Sequence, residues 1–138
     1  REQAVAVHVR RGDYLLPENN RKYGNICTLQ YYRNAMQYMK EKVSDARFYF
    51  FSNDPEWVRE NLSEGDSVIV NCNHGKENYL DMYLMSQCSH NIIANSSFSW
   101  WGAWLNRNPD KIIVSPKRWF SHLDVSDAVC EDWIRING

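Results

Sequence analysis

The run Ala4-Val5-Ala6-Val7-His8-Val9-Arg10-Arg11-Gly12-Asp13-Tyr14 sets the pattern that the chain repeats along its length. Ala4 to Val9 reads as a buried strand, apolar on both faces apart from His8. It passes into a polar stretch containing Gly and Pro, from Arg11 to Asn25. Beyond that stretch Thr28 stands as an N-cap for a helix carrying Leu29, Tyr32, Met36, Met39 and Val43 on one side. Arg47 to Phe51 is a second strand, and Asp54 with Pro55 opens a short helix through Trp57 and Leu62. A third strand spans Val68 to Val70, and a third helix spans Asn78 to Cys88 with Leu80, Leu84 and Cys88 as its apolar side. Asn91 to Ala94 makes a fourth strand, and Asn95-Ser96-Ser97 leads a helix through Trp101 and Leu105. Lys111 to Val114 makes a fifth strand, with Pro116 stopping any continuation.

Strand and helix alternating at this pitch predict one α/β domain, Rossmann-like, with a mostly parallel sheet and helices on both faces. Ligands of such sheets bind outside the carboxyl ends of the strands. Three polar clusters fall on that edge: His8 to Asp13, Ser52 to Asp54, and Asn95 to Ser99.

Composition narrows the choices. Hydrophobic residues at 43% and charged residues at 24% describe an ordinary globular chain. A net charge of −1 supplies no general field for nucleic acid or an anionic membrane, so any hold on phosphate must be local. Cys27, Cys72, Cys88 and Cys130 show no zinc-ligand spacing and sit in or beside apolar segments, as reduced thiols do. No apolar run is long enough to span a membrane. The many aromatics suit either core packing or a sugar or base pocket. Trp100, Trp101, Trp104 and Leu105 are expected to form the buried face of their helix.

Each cluster has a specific chemical reading and a plainer one. In the first, alternation along the strand puts His8 and Arg10 on one face, which makes Arg10 the primary phosphate ligand and Arg11 a secondary one. A solvated basic turn is the plain alternative, and Arg11-Gly12-Asp13 is also the tripeptide of integrin-binding loops. In the second, Asp54 can accept from the ring NH and amino group of guanine, or simply cap its helix. In the third, Asn95, Ser96, Ser97 and Phe98 bring backbone NH groups and hydroxyls to a helix N-terminus, an anion site that needs no further basic residue. Neither a Gly-x-Gly-x-x-Gly turn nor a Gly-Lys-Ser/Thr loop occurs, and no DxD-like metal pair stands out.

Taken in order, these motifs resemble those of the α-1,2-fucosyltransferases, glycosyltransferase family 11. His8 through Tyr14 is similar to the first motif of that family, and Phe51-Ser52-Asn53-Asp54 with Glu56-Trp57 to the second. Asp81 through Ser86 and His90 through Leu105 resemble the third, so the likeness runs from about Val5 to Phe120. Asn53 departs from the Asp that many family members carry there. The resemblance implies the C-terminal, donor-binding lobe of a GT-B enzyme over residues 1–138, with the N-terminal acceptor lobe absent and the isolated piece inactive. It implies inverting, metal-independent transfer of L-fucose from GDP-fucose, the donor substrate, to the 2-OH of a galactose-terminated glycan. No cofactor and no nucleic acid are implied.

Arg10 is then expected to meet the β-phosphate charge, with Ser96 and Ser97 assisting, while His8 and Asp13 are the local candidates for a general base. Pairing with Arg11 would make Asp13 a weak one. The expected location is the cytoplasm at the inner membrane face, with the Golgi lumen as the alternative. A nucleotide-sugar-binding domain without activity, and an adhesion module, are the competing classes.

Overall fold

The computed structural model describes residues 3–10, 27–71, 78–95, 97–117 and 132–136, with the backbone alone at 71, 78 and 97. Among the described residues six strands and four helices follow one another as β1 (Gln3–Val9), α1 (Leu29–Lys42), β2 (Ala46–Ser52), α2 (Pro55–Asn61), β3 (Val68–Asn71), α3 (Asn78–Gln87), β4 (His90–Ile92), α4 (Ser97–Trp104), β5 (Ile113–Pro116) and β6 (Ile134–Ile136). The strands form one sheet in the order β3-β2-β1-β4-β5-β6, and every pairing is parallel. This is the Rossmann order, and the chain reverses its direction of winding between β1 and β4. β1 is central: Val9 pairs with Ser52 on one side and Val7 with Ile92 on the other.

The alternation of β1 sorts the core into two layers. Val5, Val7 and Val9 pack with Tyr31, Tyr32, Ala35, Met36 and Met39 of α1 and with Val58 of α2. Ala6 on the opposite face packs with Phe51 and with Met85 of α3, and Phe98 of α4 joins them. Local chemistry starts the helices where expected. Thr28 Oγ1 accepts from Tyr31 N at 3.1 Å, and Lys40 and Lys42 stand in the last turn of α1, favourably toward its dipole. Asp54 Oδ1 accepts from Trp57 N at 3.3 Å, ahead of Pro55 at the start of α2. Asp45 turns the chain from α1 to β2 at φ 53°, a conformation that Asp tolerates better than most residues.

The structure corrects three expectations. First, the sheet does not end with the fifth strand. Pro116 is the last residue of β5, and β6 pairs beside it in the register Val114↔Ile134 to Pro116↔Ile136. Proline at a strand end forgoes an NH bond without breaking the ladder. Second, α3 faces inward with Asp81 and Met85, while Leu80 and Leu84 are exposed. Third, Trp101, Trp104 and Leu105 lie on the surface, and Trp100 is half-buried against Trp133. α3 and α4 meet closely at Gly102, where a Cβ would come within 3.2 Å of Met85 Cε and 3.3 Å of Met85 Cβ. The remaining boundaries move by one or two residues, the ordinary latitude of element ends.

A polar lattice fastens the amino edge of the sheet. The Asn106 side-chain amide is buried and donates to Asn91 Oδ1 at 2.7 Å, Cys88 O at 3.0 Å and Ser89 O at 3.3 Å. Its Oδ1 accepts from Asn108 N at 2.9 Å. Asn91, a residue of the third sequence motif, therefore serves the scaffold.

Candidate functional site

Three loops leave the carboxyl ends of β1, β2 and β4, which are neighbours in the sheet, so the three polar clusters share one edge. His8 is buried, and its Nδ1 is in a short hydrogen bond with Ser99 Oγ of α4. Its ring lies 5.4 Å from that of Phe98. This contact crosses the switch point, from the end of β1 to the first turn of α4. Ser99 Oγ also accepts from Ala94 N at 3.2 Å. With one hydrogen to donate and a second lone pair to accept with, the Ser99 hydroxyl can serve either tautomer of His8. Arg10 directly follows β1, half-buried, and its charge is felt at His8.

Around this pair, Asn95 is buried, and Cys27 Sγ donates to its Oδ1 at 3.4 Å. Burial pushes the Cys27 thiol up to about 12, opposed by hydrogen bonds with Asn95 and Tyr32, so it remains a neutral donor. Tyr31 and Tyr32 reach the same edge from beneath. Tyr31 OH donates to Ile93 O at 2.7 Å, and Tyr32 OH donates to His8 O at 3.0 Å. Asp54 stands one strand away at the head of α2, with its NH donating to Ser52 Oγ at 2.9 Å. Arg11, Asp13 and Ser96 lie outside the described residues, and Ser97 is described only as the first residue of α4. The sequence reading placed Ser99 in the third cluster and Tyr32 on the packing side of α1, but gave neither of them, nor Tyr31, a role at the site. Ser99 sits between Phe98 and Trp100, and its partner is 91 positions away.

Among the described residues no group of three or more His, Cys, Asp or Glu could hold a metal ion. A hollow of about 330 Å³ lined by Trp104, Lys111, Ile113, Asp132 and Trp133 lies toward the opposite edge of the sheet, away from these clusters.

Burial, and then the charge of Arg10, lower the His8 pKa from 6.5 to about 3. Burial also lowers His90, with Asp110 opposing. Between these folded values and 6.5 the unfolded chain binds more protons, so stability rises with pH through that window and is lost on acidification. The His8 contribution has a slope of up to about 1.4 kcal/mol per pH unit. Urea unfolding from pH 7 to pH 4 should show this slope, and His8→Gln should flatten it. Equal slopes in the two proteins would refute the burial of a neutral His8.

The glycosyl transferase family 11 model matches residues 1–137. An α-1,2-colitosyltransferase of Escherichia coli is 39% identical over 137 residues, covering 96% of this chain and 47% of its own length. An O-antigen biosynthesis glycosyltransferase of the same species is 36% identical over 133 residues, covering 96% of this chain and 44% of its own. A galactoside α-(1,2)-fucosyltransferase of Ateles belzebuth is 37% identical over 103 residues, 73% of this chain and 28% of its own. The chain thus spans about half the length of the bacterial relatives, and no solved structure matches it. With the match running through all three polar clusters and every strand between them, the chain belongs to glycosyl transferase family 11.

Proposed function

We propose that this chain binds GDP-fucose at the carboxyl ends of β1, β2 and β4, as the donor half of an α-1,2-fucosyltransferase. The acceptor is then the 2-OH of a terminal galactose, and transfer is inverting and independent of a metal. The observation that carries this reading is the His8–Ser99 link across the switch point, with Arg10 directly following β1 beside it. As GDP leaves, the fucosyl carbon becomes cationic and negative charge gathers on the β-phosphate. A guanidinium and the NH groups at the head of α4 answer that charge without having to reorganise. Asn95 and Phe98 lie at the same end of the sheet, Ser96 and Ser97 are assigned to the phosphates, and Asp54 to guanine.

His8 contributes as a neutral group. Burial and the nearby Arg10 charge, which hold its pKa down to about 3, make it a poor proton acceptor, so its part is to fix the first turn of α4 against the end of β1. Base duty falls to Asp13 or to the part of the enzyme beyond this match. The relatives favour a second reading for the sugar, since one of them is a colitosyltransferase. No helix of the described residues is long and apolar enough to cross a membrane, and the proposed setting is the cytoplasm at the membrane face.

Calorimetric titration tests the donor assignment. GDP and GDP-fucose should bind without added metal, and UDP and ADP at least about tenfold more weakly, on the scale of one lost charged hydrogen bond. Equal affinities for GDP and UDP, or loss of GDP binding in EDTA, would overturn it.

A further inference from the structure

α3 and α4 each turn large apolar side chains toward solvent. Their inner sides meet the sheet and each other at Met85 and Gly102. Their outer sides present Tyr79, Tyr83 and Leu84 on α3, and Trp101, Trp104 and Leu105 on α4. Tyr79 is 65% exposed, Tyr83 58% and Trp104 52%. Trp101, Trp104 and Leu105 share one stripe of α4, and Tyr79 and Tyr83 share one of α3 with Leu84 beside it. α3 and α4 pack closely at Gly102, so both stripes belong to one helix pair. No Lys or Arg occurs in either helix, and the only charged residue, Asp81, is buried.

We infer that this α3–α4 face is a docking surface for polypeptide, and that its occupant is the half of a family 11 chain lying outside the matched region. An exposed apolar patch of this size marks a surface that another polypeptide covers. More than half of each bacterial relative lies outside the match, enough to supply a second layer. The composition fits a protein partner, because interface centres are rich in Trp and Tyr and poor in charge. A membrane-surface helix would carry Lys or Arg along its flanks, which these lack. The inference rests on family membership and not on the donor assignment.

Hydrogen exchange tests it on two proteins: the 138-residue chain, and the E. coli α-1,2-colitosyltransferase with this chain in place of its matching region. The α3 and α4 amides should exchange at least tenfold more slowly in the chimera, with a blue shift of tryptophan emission and with β1 and β2 unchanged. Leu84→Glu with Trp104→Glu should abolish that added protection while leaving the GDP affinity of the 138-residue chain intact. If the chimera's sheet amides show that it has not folded, the remaining half of the colitosyltransferase is added as a separate polypeptide. A one-to-one complex with the same protection is then expected, and no complex overturns the inference. Unprotected α3 and α4 amides in a folded chimera overturn it as well. So does a doubled mass of the 138-residue chain that the double variant reverses, which would assign the face to a second copy. Binding to phosphatidylglycerol vesicles, lost in the same variant, would assign it to lipid. GDP titration of the same chain fails or succeeds independently of all these outcomes.

Discussion

Arg10→Ala is expected to weaken GDP binding by about 10- to 150-fold, the equivalent of the roughly 1.5–3 kcal/mol that a hydrogen bond to a charged group contributes. Arg10 directly follows β1, and its charge is close enough to oppose protonation of His8. Arg10→Lys should recover little, because an ammonium keeps the charge but loses the planar fork. The deciding comparison is GDP against guanosine by calorimetry, since the deficit must vanish for a ligand without phosphates. Equal weakening of both ligands would place the damage in the fold and remove Arg10 from the phosphate site.

The second large effect is expected at the other edge of the sheet. Asn106→Leu keeps approximate volume but strips the donors from Cys88 O, Ser89 O and Asn91 Oδ1, and the acceptor from Asn108 N. Buried groups left unsatisfied cost about 1–3 kcal/mol each. With some relaxation toward water, a loss of about 3–4 kcal/mol is expected, or roughly a 10 °C fall in Tm for a chain of this size. Urea and thermal unfolding measure it. GDP affinity of the folded fraction should not change, because the lattice lies at the amino ends of the strands. A fall in GDP affinity at unchanged stability would contradict the scaffold role.

Particular residues show how much was legible in advance. β1 and β2 were, because strands buried on both faces read as apolar runs, and α1 was, because Thr28 and the Tyr32-Met36-Met39 stripe mark its start and its inner side. The inward side of α3 was not. Apolar residues lie on both its inner and outer sides, and 3.6-residue spacing fits the Leu80–Leu84 stripe as well as the Asp81–Met85 stripe. Only packing against Gly102 decides between them. β6 was missed because three residues carry too little pattern, and its pairing with β5 is a long-range fact. At the candidate site, strand alternation placed His8 beside Arg10. The closure of His8 on Ser99 depends on where β1 and α4 meet in space, which local pattern does not encode.

The paired phenols of α1 bear on how the crevice responds to its ligand. Tyr31 and Tyr32 are consecutive on a single helix, yet one holds the carbonyl of Ile93 after β4 and the other that of His8 in β1. The two walls of the switch point are thereby tethered to adjacent residues of one rigid rod. Spreading β1 from β4 would break a buried phenol–carbonyl bond on one side or the other, in addition to the sheet pairing, so the carboxyl ends of the two strands hold their spacing. A ligand entering the crevice would meet preorganised walls and lose little affinity to rearranging the sheet. Any closing over the ligand would fall to the loops above the strands, and mutations that loosen α1 would be felt as a weaker grip on the ligand, although no atom of that helix need touch it.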